Sequence, residues 1–324
     1  MHELLLTFAT KILKSKKIIG GENMAAKIKI KSKSDYYARE RKAGYLFVLA
    51  PVLQFFIFAL VPLLISLYAG FTDWSTIGKP SFTGLENFVK MAQDPHFWKA
   101  LFNTAFMMIG IPIRLVLALM LALAMNRKIF GAKTFRVLYY IPVISSIAAI
   151  SILWRWVYNG DYGLLNQVLS IVGVKGPNWL TNEATVKPAI IAMAVWQDLG
   201  MSMLLYLAGI QSIPKDYNEA AQIDGANTFQ IFKNITIPML KPVTFYMIIT
   251  GIIGGSQMFI QQNLMTDNGG TNYSAATIVY YLWDKAFKQY QMGYACAVGW
   301  ILAIIIFAVT YFQFKNSSNE LFEE

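Results

Sequence analysis

Two charged residues of this 324-residue chain stand where charge is expensive: Arg114 and Asp198 each interrupt a long apolar run. An isolated ion at the centre of a bilayer costs about 2.5–3.5 kcal/mol on insertion scales. Each must therefore face a partner or a wet cavity. Two roles stay open for the pair, contact with a polar solute or a structural bond with each other or a neighbouring subunit. Trp196 and Gln197 precede Asp198 and join the same candidate set. A second polar group, Ser256, Gln257, Gln261, Gln262 and Asn263, surrounds Met258 and Phe259 in another apolar run. Amides donate and accept together, which suits hydroxyl-rich solutes, and an aromatic face can stack on a sugar ring. Gln257 and Gln261 are four residues apart, so a continuous helix would present both on one face. Polar packing between helices is the competing explanation. The residues whose chemistry could meet such a solute are Arg114, Trp196, Gln197, Asp198, Gln257, Phe259 and Gln261.

Other chemistries find no foothold. The two histidines, His2 and His96, are far apart, and no metal site is expected. Cys296 is the single cysteine, so no disulfide forms within the chain. No nucleophile–base signature marks a catalytic residue. No G-x-x-x-x-G-K-[ST] stretch occurs, so the chain carries no phosphate-cradling loop of its own.

These residues must be positioned by membrane helices. Only 14% of the residues are charged, against about 25% in soluble domains, and the deficit is local. Gly44–Thr72 is 29 residues without a charge, and Pro242–Thr266 and Gln289–Phe314 are also charge-free. About 20 apolar residues cross a bilayer as a helix. Six spans are expected, at roughly 44–70, 100–125, 137–158, 188–211, 242–263 and 292–314. Lys and Arg sort unevenly between the connecting segments, 19 on the side of the N-terminus and 7 on the other. Cations are retained where insertion starts, so both termini are expected in the cytoplasm. That asymmetry accounts for the net charge of +10 without a nucleic-acid partner. The expected organisation is a basic tail at 1–43, a transmembrane domain at 44–314 with a cytoplasmic loop at 212–241, and a short tail at 315–324. The Lys-rich stretch at 27–34 is read as a solvated, orienting tail, with contact to anionic membrane lipid as the alternative. Phe88, Met91, Phe97 and Trp98 around Pro95 suit a helix lying at the membrane interface, and Arg155 is expected to snorkel outward.

The loop at 212–241 is patterned beyond what a simple return needs. Glu219, Ala220, Ala221, Ile223, Ala226, Phe229, Ile231 and Phe232 recur in helical rhythm. Gly225 either interrupts the helix or admits another backbone. The reading is a short amphipathic helix, a turn and a second helix entering the membrane near Pro238 and Pro242.

The spacing Glu219-Ala220-Ala221, three residues, Gly225, nine residues, Ile235, then Ile237-Pro238 resembles the EAA loop of binding-protein-dependent ABC importer permeases. Ile237 stands where Leu is usual. Further stretches from about residue 40 to 315 resemble the carbohydrate-uptake branch, among them "RVLYYIPVISS", "WRWVYNGDYGLLN" and "MTDNGGTNYSAAT". The resemblance implies an all-α polytopic protein with the six-helix type I importer fold, in a bacterial inner membrane. It implies that Glu219, Ala220, Ala221, Asp224 and Gly225 couple to an ATPase. It further implies two separate ATPase subunits that bind ATP and Mg, a second homologous permease and a periplasmic or extracellular solute-binding protein. The substrate would be a carbohydrate, with an acidic one such as alginate allowed by Arg114. A secondary transporter using Asp198 as a proton or ion site is the alternative, but the inverted repeats that would mark it are not visible.

Overall fold

Backbone polar groups in hydrocarbon must bond within their own segment. The described residues accordingly form helices, turns and two isolated β-bridges, with no strand among them. The computed structural model describes residues 33–75, 78–127 and 131–321. The basic tail expected at 1–43 lies outside the described residues up to position 32. From Lys33 onward that stretch is helical.

The chain divides into two compact units, residues 1–63 and 64–324. The first holds α1 (Lys33–Phe55) and a π-helical turn at Phe56–Leu60; α2 (Val61–Ala69) follows directly. In the second unit come α3 (Glu86–Gln93), α4 (Pro95–Met107), α5 (Gly110–Asn126), α6 (Ala132–Ile144), α7 (Ile147–Val157) and α8 (Leu164–Ile171). They are followed by α9 (Val186–Ser212), α10 (Lys215–Ile223), α11 (Thr228–Met239), α12 (Lys241–Ser256), α13 (Ile260–Met265), α14 (Ile278–Trp283) and α15 (Met292–Leu321). Among the described residues, four helical stretches are long and apolar enough to cross a membrane: Glu40–Ala69, Pro95–Asn126, Val186–Ser212 and Met292–Lys315. Two bent pairs, α6 with α7 at 99° and α11 with α12 at 57°, bring the number to six if each is one span.

The bends have local causes. Pro142 removes a donor inside α6, and Ser145 takes extended backbone (ψ 148°) before α7 restarts. Pro62 and Pro238 each follow a π-helical turn, Phe56–Leu60 and Phe232–Thr236. The wider turn takes up the missing donor and the ring's bulk.

α9 is the central post, packed chiefly on α5 and α6. Gly200 makes the α6 contact possible, because a Cβ there would overlap the Tyr139 carbonyl oxygen. Two dry clusters are strung along α9. One, toward Val186, gathers Met107, Ile150, Tyr158, Ile190, Met193 and Met265. The other, toward Ser212, gathers Leu115, Ala122, Met203, Tyr206, Leu240 and Met247. A third cluster joins α3, α4, α14 and α15 through Met91, Phe97, Tyr281 and Val298. Met91 and Phe97 are therefore core residues, not the lipid-facing side chains of an interfacial helix.

Candidate functional site

Between the first two clusters the packing turns polar. α5, α9 and α12 all cross this level with small or hydrophilic residues: Gly110 and Arg114, Gln197 and Asp198, Thr250 and Gly251. They enclose a cavity of about 310 Å³, to which Gln261 of α13 also contributes. Arg114 and Asp198 meet there, Nη1 to Oδ2 at 2.8 Å. The two ends of the pair differ in access. The Arg114 side chain is 14% exposed and the Asp198 side chain 55%. Gly251 makes room for the guanidinium, since a Cβ would lie 3.0 Å from Nη2. Gln197 and Gln261 are each only 7% exposed and line the cavity. Their amides have no hydrogen-bond partner among the described residues.

The remaining candidates separate. Trp196 is two positions from Asp198, about 200° round a helix. It rests on Trp154 (ring centroids 5.4 Å apart) and lines an apolar groove on another side of α9 with Phe106, Ile113 and Leu199. Gln257 and Gln261 do not share a helical face, because α12 ends at Ser256 and α13 starts at Ile260. Thr277 fixes the break by donating its hydroxyl to the Met258 carbonyl at 2.6 Å. Gln257 is left beside Phe259 in a neighbouring hollow of about 590 Å³, whose wall also contains Gln261. The Phe259 ring is engaged with Trp283 (5.3 Å) and Tyr280 (6.3 Å).

Several contributors were missed by sequence reasoning. Thr250, Gly251, Gly254 and Gly255 line the cavity, and the signal available was a cluster of small residues inside one apolar run. Asn103 was also passed over. It is fully buried, donates to the Tyr273 and Ala276 carbonyls at 2.9 and 3.0 Å, and accepts from Lys187 at 3.1 Å. Arg155 does not simply reach outward: its Nη2 bonds both Asp267 carboxylate oxygens at 2.9 and 3.0 Å. Asp94 caps α4 by accepting from the His96 N–H and receives the Tyr281 hydroxyl at 2.6 Å. Burial alone would raise the Asp94 pKa, but these hydrogen bonds and the charge of Lys285 hold it below the ordinary aspartate value.

The Glu219 segment is a helix–turn–helix with both ends specified. Gly225 has φ +83°, and nothing lies within 4 Å of where a Cβ would sit, so it serves the turn rather than a close approach. The Ala226 N–H reaches the Ala221 carbonyl and the Gly225 N–H reaches that of Gln222, which closes α10 as a Schellman motif. Asn227 and Gln230 then open α11 with a reciprocal capping box. Glu219, Ala220, Asp224 and Gly225 are exposed and Ala221 half-buried. Tyr217, Ile223 and Phe229 also stand open to solvent. Among the described residues, nothing covers the exposed side chains of this segment.

Membrane-length helices around a polar cavity are the architecture of an integral membrane transport component. The chain belongs to the family of binding-protein-dependent transport system inner membrane components, whose model matches residues 114–315. It is 34% identical to the probable ABC transporter permease protein YesP of Bacillus subtilis (strain 168), over 88% of this chain and 94% of that protein. Identity is also 34% to the arabinooligosaccharides transport permease AraP of the same organism (88% and 91% covered). The lactose transport permease LacF of Rhizobium radiobacter is again 34% identical (84% and 92% covered). The fold is similar to a chain in the crystal structure of a bacterial alginate ABC transporter in complex with alginate pentasaccharide-bound periplasmic protein. That match has a TM-score of 0.78 at 23% identity, over 88% of this chain and 96% of the other.

Proposed function

We propose that this chain is one permease subunit of an ATP-driven importer that takes up a carbohydrate, an oligosaccharide in the first instance. The cavity at Arg114 and Asp198 is the solute path. The observation that carries this reading is that the family match takes in Arg114, Asp198 and the exposed Glu219 helix–turn–helix together. The relatives AraP and LacF, which serve arabinooligosaccharides and lactose, support a sugar. The Glu219 segment couples to two ATPase subunits, which bind ATP and Mg. Glu219 takes a basic or hydrogen-bonding partner, while Ala220 and Ala221 permit close approach. A second homologous permease and a solute-binding protein complete the machine, and both termini face the cytoplasm of a bacterial inner membrane. The ion pair of Asp198 with Arg114 speaks against Asp198 as the proton site of a secondary carrier.

Purification of the chain from its native membrane is expected to bring down an ATP-binding-cassette ATPase. Glu219→Lys is expected to lower ATPase association and sugar uptake at least tenfold while the chain still reaches the membrane. Unchanged association and uptake would remove the coupling assignment.

A further inference from the structure

The charges on the cavity wall are few and unevenly placed. Among the described residues, Arg114 and Asp198 are the only ionisable ones on its wall, and they are bonded to each other at 2.8 Å. The lining therefore has no net charge to offer. The exposure is lopsided as well. The guanidinium lies close against Gly251, with its Nε buried and unpartnered, whereas more than half of the Asp198 side chain is open. The open end of the pair is thus a carboxylate with Oδ1 uncommitted.

Around it are groups that suit hydroxyls. Gln197 and Gln261 are more than nine-tenths buried yet border the cavity with unpartnered amides. Thr250 donates its hydroxyl hydrogen to the Tyr246 carbonyl at 2.8 Å, which leaves its oxygen able to accept. A carboxylate beside two amides can accept from vicinal hydroxyls and donate to ring or hydroxyl oxygens. The same carboxylate repels a second carboxylate brought into a confined site of lowered dielectric.

We propose that the cavity selects neutral, hydroxyl-rich saccharides and rejects uronates, and that Asp198 is the residue that sets this preference. The proposal rests on the importer reading above and deepens it by naming the substrate class. Arg114 acts through Asp198: it orients the carboxylate instead of serving as an anion receptor. The likeness to an alginate transporter extends to the fold and leaves the charge of this cavity to be read from its own residues.

The test uses the complete transporter, co-purified with its partner subunits and reconstituted in proteoliposomes. Sugar-stimulated ATP turnover and uptake are compared between matched trisaccharides, arabinotriose and maltotriose as neutral probes against trigalacturonate and an alginate trisaccharide. The native protein is expected to favour at least one neutral probe over both uronates by tenfold or more. Asp198→Asn keeps an acceptor for Arg114 but leaves the cavity with a net positive charge, and it is expected to narrow that ratio at least fivefold by admitting the uronates. Uronate uptake equal to or above neutral uptake in the native protein overturns the proposal, whether or not the variant folds. An equal change for both probe classes in Asp198→Asn also overturns it, by reducing the pair to a structural tie. If neither class of sugar is taken up while another solute is, the carbohydrate reading itself fails, an outcome distinct from the first two.

Discussion

A charge pair inside a membrane protein is asymmetric whenever its two ends differ in access to water. Arg114 is the packed end and Asp198 the open one. Removing the open partner strands a buried cation, a loss of about 3–5 kcal/mol for a buried pair. Removing the packed partner leaves a carboxylate that still faces the cavity, and exposed pairs contribute about 0–1 kcal/mol. Asp198→Ala is therefore expected to lower the melting temperature of the purified chain clearly more than Arg114→Ala. A double-mutant cycle in thermal melting checks this, and equal losses would mean that the two ends are equally solvated. The sequence made both residues conspicuous, because each is a charge in an apolar run, but it left open whether they meet. Their meeting depends on how α5 and α9 rotate against one another, and no spacing within either helix encodes that. Gly225 was more legible. A glycine inside an amphipathic pattern either breaks the helix or admits another backbone, and its φ of +83° with open space around it supports the break.

At the scale of the element, the spans were readable where hydropathy alone decides and misread where tertiary contacts intervene. The expected boundaries 188–211 and 292–314 lie within α9 and α15. The fifth span was drawn through to residue 263, although the helix stops at Ser256. Its end is set by Thr277, 19 residues away in sequence, bonding the Met258 carbonyl, and no local pattern announces that. The same long-range cause hid α14, whose residues Ile278, Tyr280 and Tyr281 are buried in what read as a connecting loop. Close approach between elements is equally invisible in one sequence. α6 and α9 touch through Gly200, where a Cβ would collide with the Tyr139 carbonyl, and a backbone atom cannot step aside as a side-chain tip would. Gly200→Ala is expected to destabilise the fold by about 2 kcal/mol or more, within the range for overpacking, as read by thermal melting in detergent. Gly225→Ala, by contrast, strains only an exposed turn. A melting temperature for Gly200→Ala equal to that of the native chain would show that the helices separate freely.

Within the unit formed by residues 64–324, two of the three apolar clusters lie along α9 with a polar level between them. The interruption of α12 at Gln257–Phe259 falls near this level. Local opening follows low contact density and exposed backbone groups. Amide hydrogens at 254–259 are expected to exchange faster than those at 189–193 or 203–207, which sit in the clusters. Uniform protection along these segments would show that the level is as tightly knit as its neighbours. A layer held by one ion pair and a few unpaired amides has a mechanical consequence. α9 runs unbroken from Val186 to Ser212 through that layer, so any rearrangement there turns on a single rigid spine to which both clusters are fastened.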